Sequence, residues 1–184
     1  MRPTELLKED HKVILRMIAV MKKAADDVIG GGGLNVEHLE RMVDFIRTFA
    51  DKCHHGKEED LLFVEMERYG IPKEGGPIGV MLEEHIAGRN YVKGMAEGID
   101  EIKAGKKGGN KKFAENARGY ASLLTQHIDK EDNILYMMAD MHLDRNADEK
   151  LLAKFEKVEK KIMGTVKRGE YVSLVETFEK MYLK

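Results

Sequence analysis

Apolar residues recur along this chain at spacings of three, four and seven, the signature of helices with one buried face. Leu7, Ile14, Ile18, Met21 and Ala25 form such a stripe and predict a first helix from Pro3 to about Ile29. Pro3 suits a first helical turn, and the glycine run Gly30 to Gly33 suits a stop. Asn35 is a suitable N-cap for a second helix reaching about Tyr69, whose inner face reads Leu39, Val43, Ile46, Ala50, His54, Glu58 and then Leu61 or Leu62. A turn-rich connection, Gly70 to Pro77, leads to a third helix from about Ile78 to Ala104, which Gly105 to Gly109 ends. The fourth runs from about Lys111 to Met141. Beyond residue 145 come a Lys/Glu-rich helix, a break over Gly164 to Gly169, and a short helix with Tyr171, Leu174, Val175, Phe178 and Tyr182. The pattern predicts an all-α protein: an up-down-up-down four-helix bundle over residues 1–143, with a C-terminal helical hairpin extension over 144–184 packed on it. An extension that mediates dimerisation is the equal alternative, so monomer and homodimer both stand as expectations.

The stripes are interrupted by polar residues, and the interruptions repeat. His54-His55-Gly56-Lys57-Glu58-Glu59-Asp60-Leu61-Leu62-Phe63 recurs as His127-Ile128-Asp129-Lys130-Glu131-Asp132-Asn133-Ile134-Leu135-Tyr136. Each copy has an upstream partner, Leu6-Leu7-Lys8-Glu9-Asp10-His11 and Val80-Met81-Leu82-Glu83-Glu84-His85, at intervals that agree within one residue. Residues four apart on a helix diverge by about 40° and rise about 6 Å, so His54 projects with Glu58 and His127 with Glu131. A carboxylate and an imidazole on a core stripe cost several kcal/mol unless something satisfies them. A pair of metal ions would do so, with His11, His54, His85 and His127 as terminal ligands and Glu58 and Glu131 as bridges. Nitrogen and oxygen ligands without thiolate suit iron, manganese or zinc, and bridging carboxylates favour two iron ions with an oxo or hydroxo bridge.

The competing pair His55 and Glu59 has the same spacing. Aligning the halves puts His55 on Ile128, so it is expected behind the ligands or at the rim, with Glu59 and Asp132 orienting the ligating histidines. His38 and His142, near helix or loop ends, are expected to be solvated, and Cys53 to be a buried small residue.

Composition narrows the setting. The 184 residues are enough for a substantial core, and 35% charged against 42% apolar residues suits a helix-rich soluble protein. A net charge of −2 points to neither nucleic acid nor an anionic membrane as partner. The longest apolar stretch, Val13 to Met21, is interrupted by Arg16 and too short to span a bilayer. One cysteine, and no charged-then-apolar leader, make a cytoplasmic location the expectation. Twelve methionines and no tryptophan suggest a core filled by flexible side chains, and no Met-x-Met cluster suggests metal uptake.

Residues 3 to 141 resemble the hemerythrin/HHE cation-binding family, through Glu9-Asp10-His11, His54-His55-Gly56-Lys57-Glu58-Glu59 with Leu62-Phe63, Glu84-His85, and His127-Ile128-Asp129-Lys130-Glu131-Asp132 with Leu135-Tyr136. The resemblance implies a non-haem di-iron site and oxygen binding or a related role, since such proteins include oxygen carriers, iron and oxygen sensors, and proteins tied to nitrosative or peroxide stress. It implies a small ligand (O2, NO or peroxide), with a redox partner protein if turnover occurs; an iron-storage or sensing module is the alternative. Two departures stand out. Oxygen carriers have a fifth histidine where this chain has Arg89, which implies a more symmetric site with open positions on both metals and tells against reversible carriage. They also favour an aspartate where Asp132 stands, which makes Asp132 the alternative to Glu131. Tyr91, Tyr120 and Tyr136 are candidates for a replacement ligand, and spacing does not choose among them.

Overall fold

The computed structural model describes residues 1–32 and 35–184, which form six helices with no strand among the described residues. Helix α1 (Pro3–Gly30) begins on a proline, with the Glu5 carboxylate accepting from the Arg2 backbone N–H at 2.7 Å, and ends at Gly31, whose φ of 75° is left-handed. Gly33, the last glycine of the expected stop, lies outside the described residues. Helix α2 covers 36–68, with Asn35 accepting from the His38 backbone N–H as its cap. Helices α3 (Pro77–Lys103) and α4 (109–142) follow, then α5 (Arg145–Ile162) and α6 (Gly164–Tyr182).

Two of these helices are not uniformly α-wound. Helix α2 is π-helical over Ile46–His55 and again over Glu58–Leu62, and α4 is π-helical over Glu131–Leu135. A π turn closes its hydrogen bond one residue later than an α turn, so adjacent side chains diverge by less and more of them face the same way. These widened turns lie on the stretches that carry His54, His55, Glu58 and Glu131.

The apolar core is split in two. One cluster includes Ile14, Met17, Phe49, Ala50, Val92, Leu124 and Ile128; the other includes Leu7, Leu62, Phe63, Met81, Leu135 and Tyr136. Along each bundle helix, the polar residues of the repeat fall between the residues that enter one cluster and those that enter the other. Helices α1 and α3 pass from the smaller cluster to the larger, while α2 and α4 pass in the opposite order. The approach of α3 to α4 is close at Gly98, where an added Cβ would lie 2.6 Å from the Phe113 backbone nitrogen.

The extension joins both clusters. Ala147, Leu151 and Phe155 of α5 enter the smaller, and Tyr171, Leu174, Val175 and Phe178 of α6 enter the larger, with α6 lying against α1. The expected break is shorter than Gly164 to Gly169. Gly164, with a φ of 63°, makes the reversal alone, and Gly169 falls inside α6. His38, expected to be solvated, is half-buried against Phe178, its Nδ1 2.9 Å from the Tyr182 hydroxyl. His142 is exposed. No helix among the described residues is long and apolar enough to cross a membrane.

Candidate metal centre

Between the two apolar clusters lies a buried layer of seven side chains: His11, His54, His55, Glu58, His85, His127 and Glu131. Their donor atoms fall into two groups, His11, His54, Glu58 and Glu131 in one, and His55, Glu58, His85 and His127 in the other, each with its atoms within 4.8 Å of one another. Glu58 is common to both. Glu131 also reaches the second group, with Oε1 3.2 Å from His127 Nε2 and 4.0 Å from His85 Nε2. The six residues singled out from the repeat thus meet in one layer.

His55 does not lie behind them or at the rim. It is 4% exposed, and its ring stacks on that of His85 with centroids 3.9 Å apart. The π-winding of Ile46–His55 contributes to the difference, since it narrows the angle between adjacent side chains and lets both face the layer. The chain therefore gathers five imidazoles, two in one group and three in the other, and the symmetric four-histidine arrangement is not what forms. Arg89 serves the layer from outside: its guanidinium donates to Asp51 Oδ1 at 2.9 Å and to Glu59 Oε1 at 2.8 Å.

Every one of the five histidines turns Nδ1 toward a carboxylate. The pairs are His11 with Asp132 (2.8 Å), His54 with Asp10 (3.4 Å), His55 with Asp51 (3.3 Å), His85 with Glu59 (2.6 Å) and His127 with Glu84 (2.8 Å). Glu59 and Asp132 thus contact histidines, as expected, though on other helices. Asp10, Asp51 and Glu84 are additional: Asp51 stands four residues before His55 on the same helix, while Asp10 and Glu84, at equivalent positions of the repeat, reach a histidine on another helix. A carboxylate on Nδ1 assigns the proton there and leaves the Nε2 lone pair facing the layer, the arrangement in which imidazole ligates a metal. Between Glu131 and Asp132 the placement is clear: Glu131 is fully buried in the layer, while the Asp132 side chain is 30% exposed and holds His11 from behind.

Several inward atoms have nothing to bond. Among the described residues, Glu58 Oε2 and both Glu131 carboxylate oxygens are buried without a hydrogen-bond partner, and His85 Nε2 and His127 Nε2 face each other at 3.1 Å. Electron pairs held this close in a dry interior repel, and each unsatisfied acceptor costs about 1–3 kcal/mol. Cations between them reverse the sign of that interaction, so the donor set fits metal ions. The same electrostatics appear in the protonation of the layer. Burial pushes the Glu58 carboxyl well above its ordinary range, and the Glu131 charge adds to this. Burial also opposes ionisation of Glu131, but the charges of the nearby His127 and His11 imidazoles overcome it and hold that carboxyl well below its ordinary range. Burial likewise works against His11, yet its bond to Asp132 and the nearby Glu131 charge raise it to about 9, whereas burial lowers His54 to about 4.

Among the three candidate tyrosines, Tyr136 touches the layer. Its hydroxyl donates to Glu58 Oε1 and lies 3.3 Å from His11 Nε2. Tyr120 is buried with its hydroxyl unpartnered, at the wall of a cleft of about 170 Å³ that Asp51, His55, His85 and Arg89 also line. Cys53 is buried among apolar residues of the larger cluster, where burial raises its thiol to about 11. A model of the hemerythrin HHE cation binding domain matches residues 2–139. No curated protein and no solved structure matches the chain.

Proposed function

The chain belongs to the hemerythrin HHE cation-binding domain family, and from that premise we propose that it holds two iron ions in the buried layer and presents them to a small ligand: O2, NO or peroxide. His11 and His54 would hold one ion and His55, His85 and His127 the other, with Glu58 common to both donor groups and Glu131 within reach of both. The observation that carries this reading is the pairing of five inward Nε2 atoms with buried, unpartnered carboxylate oxygens. Manganese and zinc also accept nitrogen and oxygen donors, but two shared carboxylates favour iron. The opposite crossing order of successive helices supports the up-down-up-down topology.

When bound, iron supplies reversible one-electron redox chemistry and Lewis acidity. The protein's part is orientation, charge and access. The five outer carboxylates hold the imidazole planes, and Arg89 fixes two of them at once through Asp51 and Glu59. The cleft gives a small molecule a path to the His55 and His85 side, and the Tyr120 hydroxyl at its wall is a donor for a polar ligand. The two apolar clusters exclude bulk water above and below the layer.

Elemental analysis joined to an anaerobic-to-aerobic absorption spectrum tests the reading. About two irons per chain, with near-ultraviolet bands appearing on air exposure, is the expected result. A colourless protein whose thermal stability ignores added iron would overturn it. A second reading, a sensor or storage module in which occupancy is read out through the extension, is favoured by a direct bond from α6 to Asp10, the carboxylate behind His54.

A further inference from the structure

Asp10 is 2% exposed and receives three donors. Two share one oxygen: His54 Nδ1 lies 3.4 Å from Oδ2, and Lys57 Nζ donates to the same atom at 3.2 Å. The other oxygen, Oδ1, is taken by Arg168 Nη2 of α6 at 2.7 Å. Arg168 therefore sets the rotation of the carboxylate, drawing Oδ1 toward the extension and leaving Oδ2 for His54. The extension closes the network from its other helix as well. Glu159 of α5 accepts from Lys57 Nζ at 2.8 Å and sits 3.4 Å from Arg168 Nη1. Arg168 and Glu159 both lie outside the segment that matches the family model.

Among the described residues, none of the other four histidines is held this way. Arg89 secures the carboxylates behind His55 and His85, Lys130 pairs with the one behind His127, and Lys8 donates to the backbone carbonyl of the residue behind His11. All three cations belong to the bundle. The connection from α6 thus reaches one of the two donor groups, the one that contains His11 and His54.

We propose that Arg168 is a positioning residue for that group, so that the C-terminal extension and the metal ion held by His11 and His54 stabilise each other. The inference rests on the di-metal reading above. An outer partner that orients a metal-ligating histidine contributes about 10- to 100-fold to metal affinity. Coupling between two binding events is reciprocal, so an ion at that position tightens the docking of α6 by the same factor. The second position, with its partners inside the bundle, is indifferent to the extension.

The test uses the full-length chain and ferrous iron under anaerobic conditions, with binding read by equilibrium dialysis. Arg168→Met keeps an unbranched apolar stem at this position but removes the bond to Asp10 together with the guanidinium over the Phe49 ring, whose centroid lies 5.0 Å from the guanidinium carbon. It is expected to weaken one of two irons about 10- to 100-fold and leave the other unchanged. Arg168→Lys restores part of the loss. Glu179→Gln cuts the separate anchor to Arg16, 2.6 Å away in the structure, and keeps both irons. Hydrogen exchange of residues 164–182 in the unmodified protein supplies a readout independent of any variant, and iron is expected to slow it. Two irons bound with unchanged affinity in Arg168→Met, or exchange in α6 that ignores iron, overturns the coupling while leaving the metal reading intact. An unmodified chain that takes up no iron overturns both.

Discussion

Replacing Glu58 by Met should stabilise the metal-free protein and destabilise the metal-loaded one. Glu58 is fully buried, its Oε2 has no partner, and burial beside Glu131 pushes its carboxyl well above the ordinary range. Methionine fills similar space with an adaptable apolar chain. Removing the unsatisfied acceptor relieves about 1–3 kcal/mol, and losing the Tyr136 bond takes back about 1 kcal/mol. The Tyr136 hydroxyl keeps a neighbour in His11 Nε2 at 3.3 Å. The net gain of about 0–2 kcal/mol raises Tm by roughly 2–4 °C per kcal/mol for a chain of this size. With metal the sign reverses. Each ion, at a free concentration a hundred times its Kd, contributes about 2.7 kcal/mol, and Glu58 belongs to both donor groups. Thermal and urea unfolding, each with chelator and with excess metal, measures both signs. A variant less stable than the parent in chelator, or one that keeps the parent's metal-induced rise in Tm, refutes the reasoning that this layer is shaped for cations.

Three further outcomes follow from other residues. His55→Gln should remove an ion from the group with His85 and His127 and lower loading; unchanged stoichiometry would return His55 to a packing role. His11, raised to about 9 in the metal-free layer, stabilises that fold fully below its unfolded value near 6.5, a contribution lost as pH rises through about 9. Metal must displace that proton, so uptake at pH 7 should release protons and affinity should climb toward pH 9, read by calorimetry in buffers of different ionisation heat; uptake without proton release contradicts the assignment. Gly98→Ala should cost about 1–3 kcal/mol, because the new methyl meets backbone at Phe113, while metal stoichiometry stays unchanged; an unchanged Tm would show that α3 and α4 separate freely.

The helix boundaries of the bundle and the six repeated ligand candidates were legible because both depend on local order: apolar spacing, terminal glycines and prolines, and an internal repeat. His55 was not, although its pairing with Glu59 at i, i+4 was visible. Periodicity assumes α-winding, and the π-helical turn of Ile46–His55 brings a neighbouring side chain inward without altering the apolar pattern. Arg168 was hidden for a different reason. It meets Asp10 across 158 residues of sequence, and a single arginine in a charge-balanced helix looks solvated until the fold buries its partner. The location of the histidine-orienting carboxylates was lost likewise, since all but the His55–Asp51 pair lie on different helices.

The division of the apolar core has a consequence for cooperativity. Two greasy bodies separated by a layer of poorly satisfied polar groups are coupled through the four rods that thread them and the extension that touches both, a weaker link than a continuous core. Ions at the junction clamp the two together. A calorimetric trace of the metal-free protein should then be broad, with a van't Hoff enthalpy below the calorimetric one, and the loaded protein should melt as a single unit. Metal would decide how many pieces the molecule falls into when it unfolds, as well as how readily.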